Sequence, residues 1–179
     1  SRRIDGIDVR KFNLKALRKK IGFIRQKNLL FTGTIKSNIK FGKPHATHDE
    51  VENSAKIAQA YDFITTKEKG FDEPISEGGS NVSGGQKQRL SIARALVRKS
   101  EIYIFDDSFS ALDFKTDAIL RKALKKETKD AIVLIVAQRI GSIMDADKII
   151  VLDEGKVVGV GKHKELLSTC NVYHEIALS

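Results

Sequence analysis

The chain predicts an α/β fold with a largely parallel sheet and an inserted helical lobe, on three observations. "EIYIFDD" (101–107) and "AIVLIVAQR" (131–139) hold unbroken apolar runs of strand length, the pattern of strands covered on both faces. Runs of this kind alternate with helical patterns, as a parallel sheet with crossover helices requires. From Gly42 to about Lys99 no run reads as a strand, so the middle of the chain forms a helical lobe within one core.

Each element follows from its residues. "SRRIDGIDVR" begins in what reads as a strand and turn, and "KKIGFIRQ" (19–26) is a short strand closing on a polar residue. "THDEVENSAKIAQAYDFI" opens with a capping box, Thr47 and Glu50, then runs helical through Val51, Ala55 and Ala58. In "NVSGGQKQRL" (81–90) Ser83 can cap a helix that buries Leu90, Ala93, Leu96 and Val97. The two apolar runs already quoted follow as buried strands. "DKIIVLDEGKVVGVG" is a hairpin turned at Asp153-Glu154-Gly155, and a last helix covers roughly 163–178. The expected divisions are 1–43 (the rest of an N-terminal core), 44–99 (the helical lobe) and 100–179 (a C-terminal core).

Composition narrows the function. No apolar run approaches the ~20 residues of a membrane-spanning helix, and the first residues are polar, unlike a signal peptide. One cysteine, Cys170, excludes an internal disulfide framework and fits a reducing compartment. His45, His48, His163 and His174 share no metal-ligand spacing with it. The net charge of +9 is spread over polar faces without the interleaved aromatics that stack bases, so nucleic acid is not the expected partner.

Two segments carry chemistry. Gly84 and Gly85 remove side chains where backbone N–H groups can approach an anion, and the helix they open adds its positive end. The same residues also suit a plain Ser-capped helix behind a glycine turn. The second segment weighs toward the anion site: "IYIFDD" runs four apolar residues into Asp106 and Asp107. At the carboxyl end of a parallel strand, one aspartate can hold Mg²⁺ and the next can orient a water.

In this order the motifs resemble the nucleotide-binding domain of ATP-binding cassette (ABC) transporters, nearly end to end. "FIRQ" is similar to the Q-loop, with Gln26 as its glutamine. "VSGGQ" is similar to the family signature, "IYIFDD" to the Walker B strand and "SALD" to the D-loop. "LLFTGTIKSNIKFG" and "EPISEGGSNVSGGQKQRL" resemble the exporter branch, where Glu77 would lie in the stretch that senses the membrane domain. The resemblance implies a P-loop NTPase-like (RecA-like) core, ATP and Mg²⁺ as ligands, and a place on the cytoplasmic face of a bacterial cell membrane. It implies a transmembrane domain upstream in the same polypeptide. The implied site residues are Asp107, Gln138 and Gln26 for catalysis; Ser83, Gly84, Gly85, Gln86 and Asp113 for the nucleotide; and Asp106 with Gln26 for the metal.

Three departures sharpen this expectation. No GxxxxGK[ST] loop occurs in the chain, which resembles a family domain truncated at its N-terminus. Asp107 stands where the family usually has a catalytic glutamate, and Gln138 where it usually has a histidine. Together these resemble the degenerate half of a heterodimeric exporter, whose intact signature completes the ATP site of a second half-transporter. Two other readings remain at this point: a soluble ABC ATPase of nucleic-acid or translation processes, and a non-catalytic dimerisation module.

Overall fold

A computed structural model describes residues 3–4 and 6–178; the expected opening strand and turn also includes residues 1, 2 and 5, which lie outside them. Contacts divide the chain into two units, 1–134 and 135–179. In the first, β1 (Arg3–Ile4) and β2 (Ile7–Asp8) pair antiparallel, with Gly6 at φ 76° between them. Helix α1 (Leu14–Lys20) starts at Asn13, whose Oδ1 accepts the N–H groups of Lys15 and Ala16. It takes Lys19 and Lys20 into its last turn, so β3 (Ile21–Ile24) is shorter than its sequence pattern.

The elements that follow are β4 (Gly33–Thr34), α2 (Ile35–Lys40), α3 (His48–Ile57), α4 (Tyr61–Thr65) and β5 (Pro74–Ile75). Then come α5 (Gly84–Leu96), β6 (Ile102–Asp106), α6 (Phe114–Glu127) and β7 (Ile132–Val136). The main sheet has the order β3-β6-β7, and β3 runs parallel to β6 with Ile24 opposite Phe105. Helix α5 packs on β3, α2 and α3, and buries Leu90, Ala93, Leu96 and Val97 as its periodicity predicts. The stretch 44–99 thus lies in one unit with the strands that flank it.

Three expectations for these elements need correction. The middle of the chain does contain a strand, because β5 pairs antiparallel with β4 through Ile75 and Pro74. A pairing of two residues leaves no periodic signature, and Pro74 argues against a strand. The predicted 47–64 helix breaks into α3 and α4, where Gln59 takes φ 55° and its carbonyl oxygen accepts from Arg89 Nη1 at 2.7 Å. Finally β7 is not buried: Ile132, Leu134 and Val136 are each more than half exposed. An apolar run says that both faces can be covered; β7 is the outer strand of the sheet, and no described element covers it.

In the second unit β8 (Ile149–Asp153) and β9 (Lys156–Gly161) form the expected hairpin. Glu154 and Gly155 both have positive φ, as a two-residue type I′ turn demands. Ile149 and Val151 face a small core with Leu166, Cys170 and Tyr173. The predicted last helix is two helices, α7 (His163–Thr169) and α8 (Asn171–Leu178). Cys170 breaks them with extended backbone, and its Sγ lies so close to Gly159 that a Cβ there would meet it at 2.9 Å. His163 Nδ1 and Tyr173 Oη, 2.9 Å apart, tie α7 to α8.

Candidate functional site

The parallel pairing of β3 with β6 carries both strands to one end, where Gln26 and Asp107 emerge side by side. Gln26 Nε2 donates to Asp107 Oδ2 at 3.1 Å, across 81 residues of sequence. Asp107 sits at φ 45°, a left-handed conformation that Asp tolerates better than most residues. Two hydroxyls shape this turn. Ser108, fully buried, donates to Ile24 O at 3.0 Å, with Asp106 O at 3.2 Å, and Ser110 Oγ donates to Asp107 O at 3.1 Å. The motif pattern assigns neither serine this bond; the signals for them are a small hydroxyl directly after an acid pair for Ser108 and the first position of "SALD" for Ser110.

The second part of the site is the N-terminus of α5. Ser83 Oγ accepts the Gln86 N–H at 3.2 Å, while Gln86 Oε1 accepts the Ser83 N–H at 3.1 Å, a full capping box. Gly84 faces open space, with nothing within 4 Å of where a Cβ would stand. Gly85 is different: a Cβ there would be 3.2 Å from Ala111 O. Helix α5 therefore begins in close approach to the turn 108–113, which follows directly from Asp106 and Asp107. Arg89 anchors the first turns further, with Nε on Gly85 O at 3.3 Å and its guanidinium over the Phe63 ring.

Asp113 is placed as the cap of α6. Its Oδ1 accepts the Thr116 N–H at 2.9 Å and its Oδ2 the Thr116 hydroxyl at 2.7 Å. These bonds hold its carboxyl below the usual carboxylate range. Gln138 lies in the second unit, two residues after the end of β7, and is exposed.

The donors present fit a nucleotide with Mg²⁺. Asp106 is a half-buried carboxylate at a strand end, and Gln26, bonded through Nε2, keeps its amide oxygen for a cation. Among the described residues no three His, Cys, Asp or Glu side chains gather as a metal cage. A pair of oxygen donors suits Mg²⁺, which keeps waters and takes phosphate oxygens in place of an all-protein shell. The α5 N-terminus, open at Gly84, suits phosphate.

Comparison with known proteins bears on this arrangement. A family model described as ABC transporter matches residues 1–110. An uncharacterised ABC transporter ATP-binding protein of Mycobacterium tuberculosis is 42% identical over 98% of this chain. A Staphylococcus aureus protein assigned to multidrug export as an ATP-binding/permease protein is 43% identical over 97% of it. The chain spans 30% of the length of each of these relatives. A solved structure of a bacterial Atm1-family ABC exporter with ATP bound superposes on 96% of the chain with a TM-score of 0.93, at 36% identity and 30% of its own length. With its parallel strands, its signature-capped helix and the acid pair at the end of β6, this chain belongs to the ABC transporter family.

Proposed function

We propose that this chain is the ATP-binding part of a membrane exporter, and that it forms the degenerate half of a heterodimeric pair. The observation that carries the reading is the Gln26–Asp107 contact, 3.1 Å, in one unit with a glycine-opened, Ser83-capped helix end. An amide and two carboxylates are parts of this chain's own phosphoryl-transfer site, and an anion-facing helix terminus is the part it lends to the partner's. The exporter class rests on the names of the relatives, one of them a permease as well as an ATP-binding protein.

In this reading Asp106 and the Gln26 amide oxygen hold Mg²⁺. The ion, when bound, offsets charge developing on the phosphate oxygens. Asp107 orients the attacking water, and is one methylene shorter than glutamate; a misplacement of ~1 Å can cost about 10²-fold in rate. Gln138 hydrogen-bonds to phosphate but, unlike a histidine, does not become cationic near neutral pH. Ser83, whose oxygen already accepts from Gln86, donates its hydroxyl proton toward the phosphates of a nucleotide bound by the partner subunit. The N–H groups of Gly84 and Gly85 join it, while Gln86 and Asp113 hold the two helix starts in place. The cassette works at the cytoplasmic face of a bacterial membrane, with a transmembrane domain in the same polypeptide.

The test is ATP hydrolysis and vesicle transport by the full-length protein, purified with and without a second half-transporter. Hydrolysis that needs the partner supports the proposal. A fully active homodimer would remove the heterodimer from it, and absence of any nucleotide binding would remove the whole reading.

A further inference from the structure

Arg94, in the last turn of α5, is half-buried and holds a segment far from it in sequence. Its Nη1 donates to Leu29 O at 2.9 Å, its Nε to Asn38 O at 2.9 Å and its Nη2 to Asn38 Oδ1 at 2.8 Å. The buried Asn38 extends the grip, accepting the Phe31 N–H at 2.9 Å and donating to Phe31 O at 2.8 Å and Thr34 O at 3.0 Å. The guanidinium also lies under two aromatic rings, 5.1 Å from the centre of Phe31 and 5.8 Å from that of Phe41.

None of these bonded groups is a carboxylate. Burial lowers the Arg94 pKa to about 10, so the side chain stays cationic at neutral pH, bonded among the described residues to carbonyl oxygens and flanked by ring faces. Burying a cation without a counter-ion is costly, and here three fixed acceptors compensate for lost water. A lysine reaches one of those acceptors as a point charge; the planar fork reaches all three. The backbones are in close contact as well, since a Cβ on Gly42 would fall 1.9 Å from Arg94 O.

We propose that Arg94 is a positioning residue that joins the 26–42 segment to α5, so that Gln26 and the Ser83–Gly85 helix end are set as one body. From Arg94 to Ser83 the helix runs about 16 Å, a distance over which an α-helix transmits displacement as a rigid rod. On the outer side, Leu29 and Phe41 are about two-thirds exposed and Phe31 nearly half. The Phe31 and Phe41 rings of this ridge lie against the guanidinium, so a push on them passes through the clamp to the phosphate-facing end of α5. The functional consequence rests on the nucleotide reading above, whereas the clamp itself does not.

The experiment uses the full-length transporter with spin labels at Lys27, beside Gln26, and at Lys87, on α5. The clamp predicts one narrow distance distribution in the parent, about twofold broader in Arg94→Met and intermediate in Arg94→Lys. In steady state with MgATP, kcat falls about tenfold in Arg94→Met while KM stays within about threefold. A role in stability alone would lower yield and melting midpoint but leave the distribution of the folded molecules narrow, which overturns the proposal. If Arg94→Met does not fold, Arg94→Lys decides by the same width. If the parent hydrolyses no ATP, the nucleotide reading fails, and the label distances still decide whether the clamp exists.

Discussion

Replacing Gly84 by alanine separates anion binding from folding in one variant. Gly84 is the first residue of α5, outside the left-handed region, and an added Cβ meets nothing within 4 Å. Alanine is favoured over glycine by about 0.8–1.0 kcal/mol inside a helix; half of that, ~0.4 kcal/mol, is reasonable at its first position. In about 150–250 residues 1 kcal/mol moves the melting midpoint by about 2–4 °C and in a longer chain by less, so the midpoint should hold or rise by at most ~1–2 °C. The methyl group, however, stands on the open helix end where N–H groups would meet phosphate. Losing one preorganised donor of that kind costs ~10²-fold or more in rate. The assay is steady-state ATPase of the full-length heterodimer at saturating MgATP, with a thermal melt of the same sample. A variant of parental stability and parental ATPase would refute the claim that this helix end faces a nucleotide.

Three further outcomes are expected. Asp107→Glu should raise total ATPase by less than about threefold, because Gln138 still departs from the family pattern; a rise of about tenfold or more in that single variant would show that turnover occurs in this chain's own site. Thr116 holds the Asp113 carboxyl below its usual range, so its contribution to stability is full above about pH 4 and is lost as pH falls through the lowered value. The melting-midpoint gap between parent and Asp113→Ala should therefore be constant from neutral pH to about 5 and close below 4; a gap independent of pH would mean the charge contributes nothing. The isolated 179-residue chain has no phosphate-binding lysine loop and leaves Ile132, Leu134, Val136, Ile150 and Leu152 more than half exposed. It should self-associate in light scattering and bind no MgATP at micromolar concentration; a stable monomer, or micromolar binding by calorimetry, would contradict this.

Features whose cause is local were legible in the residues. The Ser83 cap, the capping box at Thr47 and Glu50, and the Glu154-Gly155 turn each depend on residues a few positions apart. The strand β6 with Asp106 and Asp107 at its end was equally plain, since a short apolar run ending in acids has few other uses. What the tertiary structure alone decided spans long separations. The Gln26–Asp107 bond exists because β3 pairs with β6, and Arg94 finds its acceptors 56 and 65 residues away. The same holds for the misread elements: Arg89 reaches Gln59 O at the break between α3 and α4, and Cys170 bends where Gly159 leaves it room. Apolar patterning states what a strand can bury, but exposure depends on what packs against it, and for β7 no described element does. Local hydrogen-bond chemistry is therefore written in adjacent letters, whereas contacts that assemble a site depend on how distant segments are brought together.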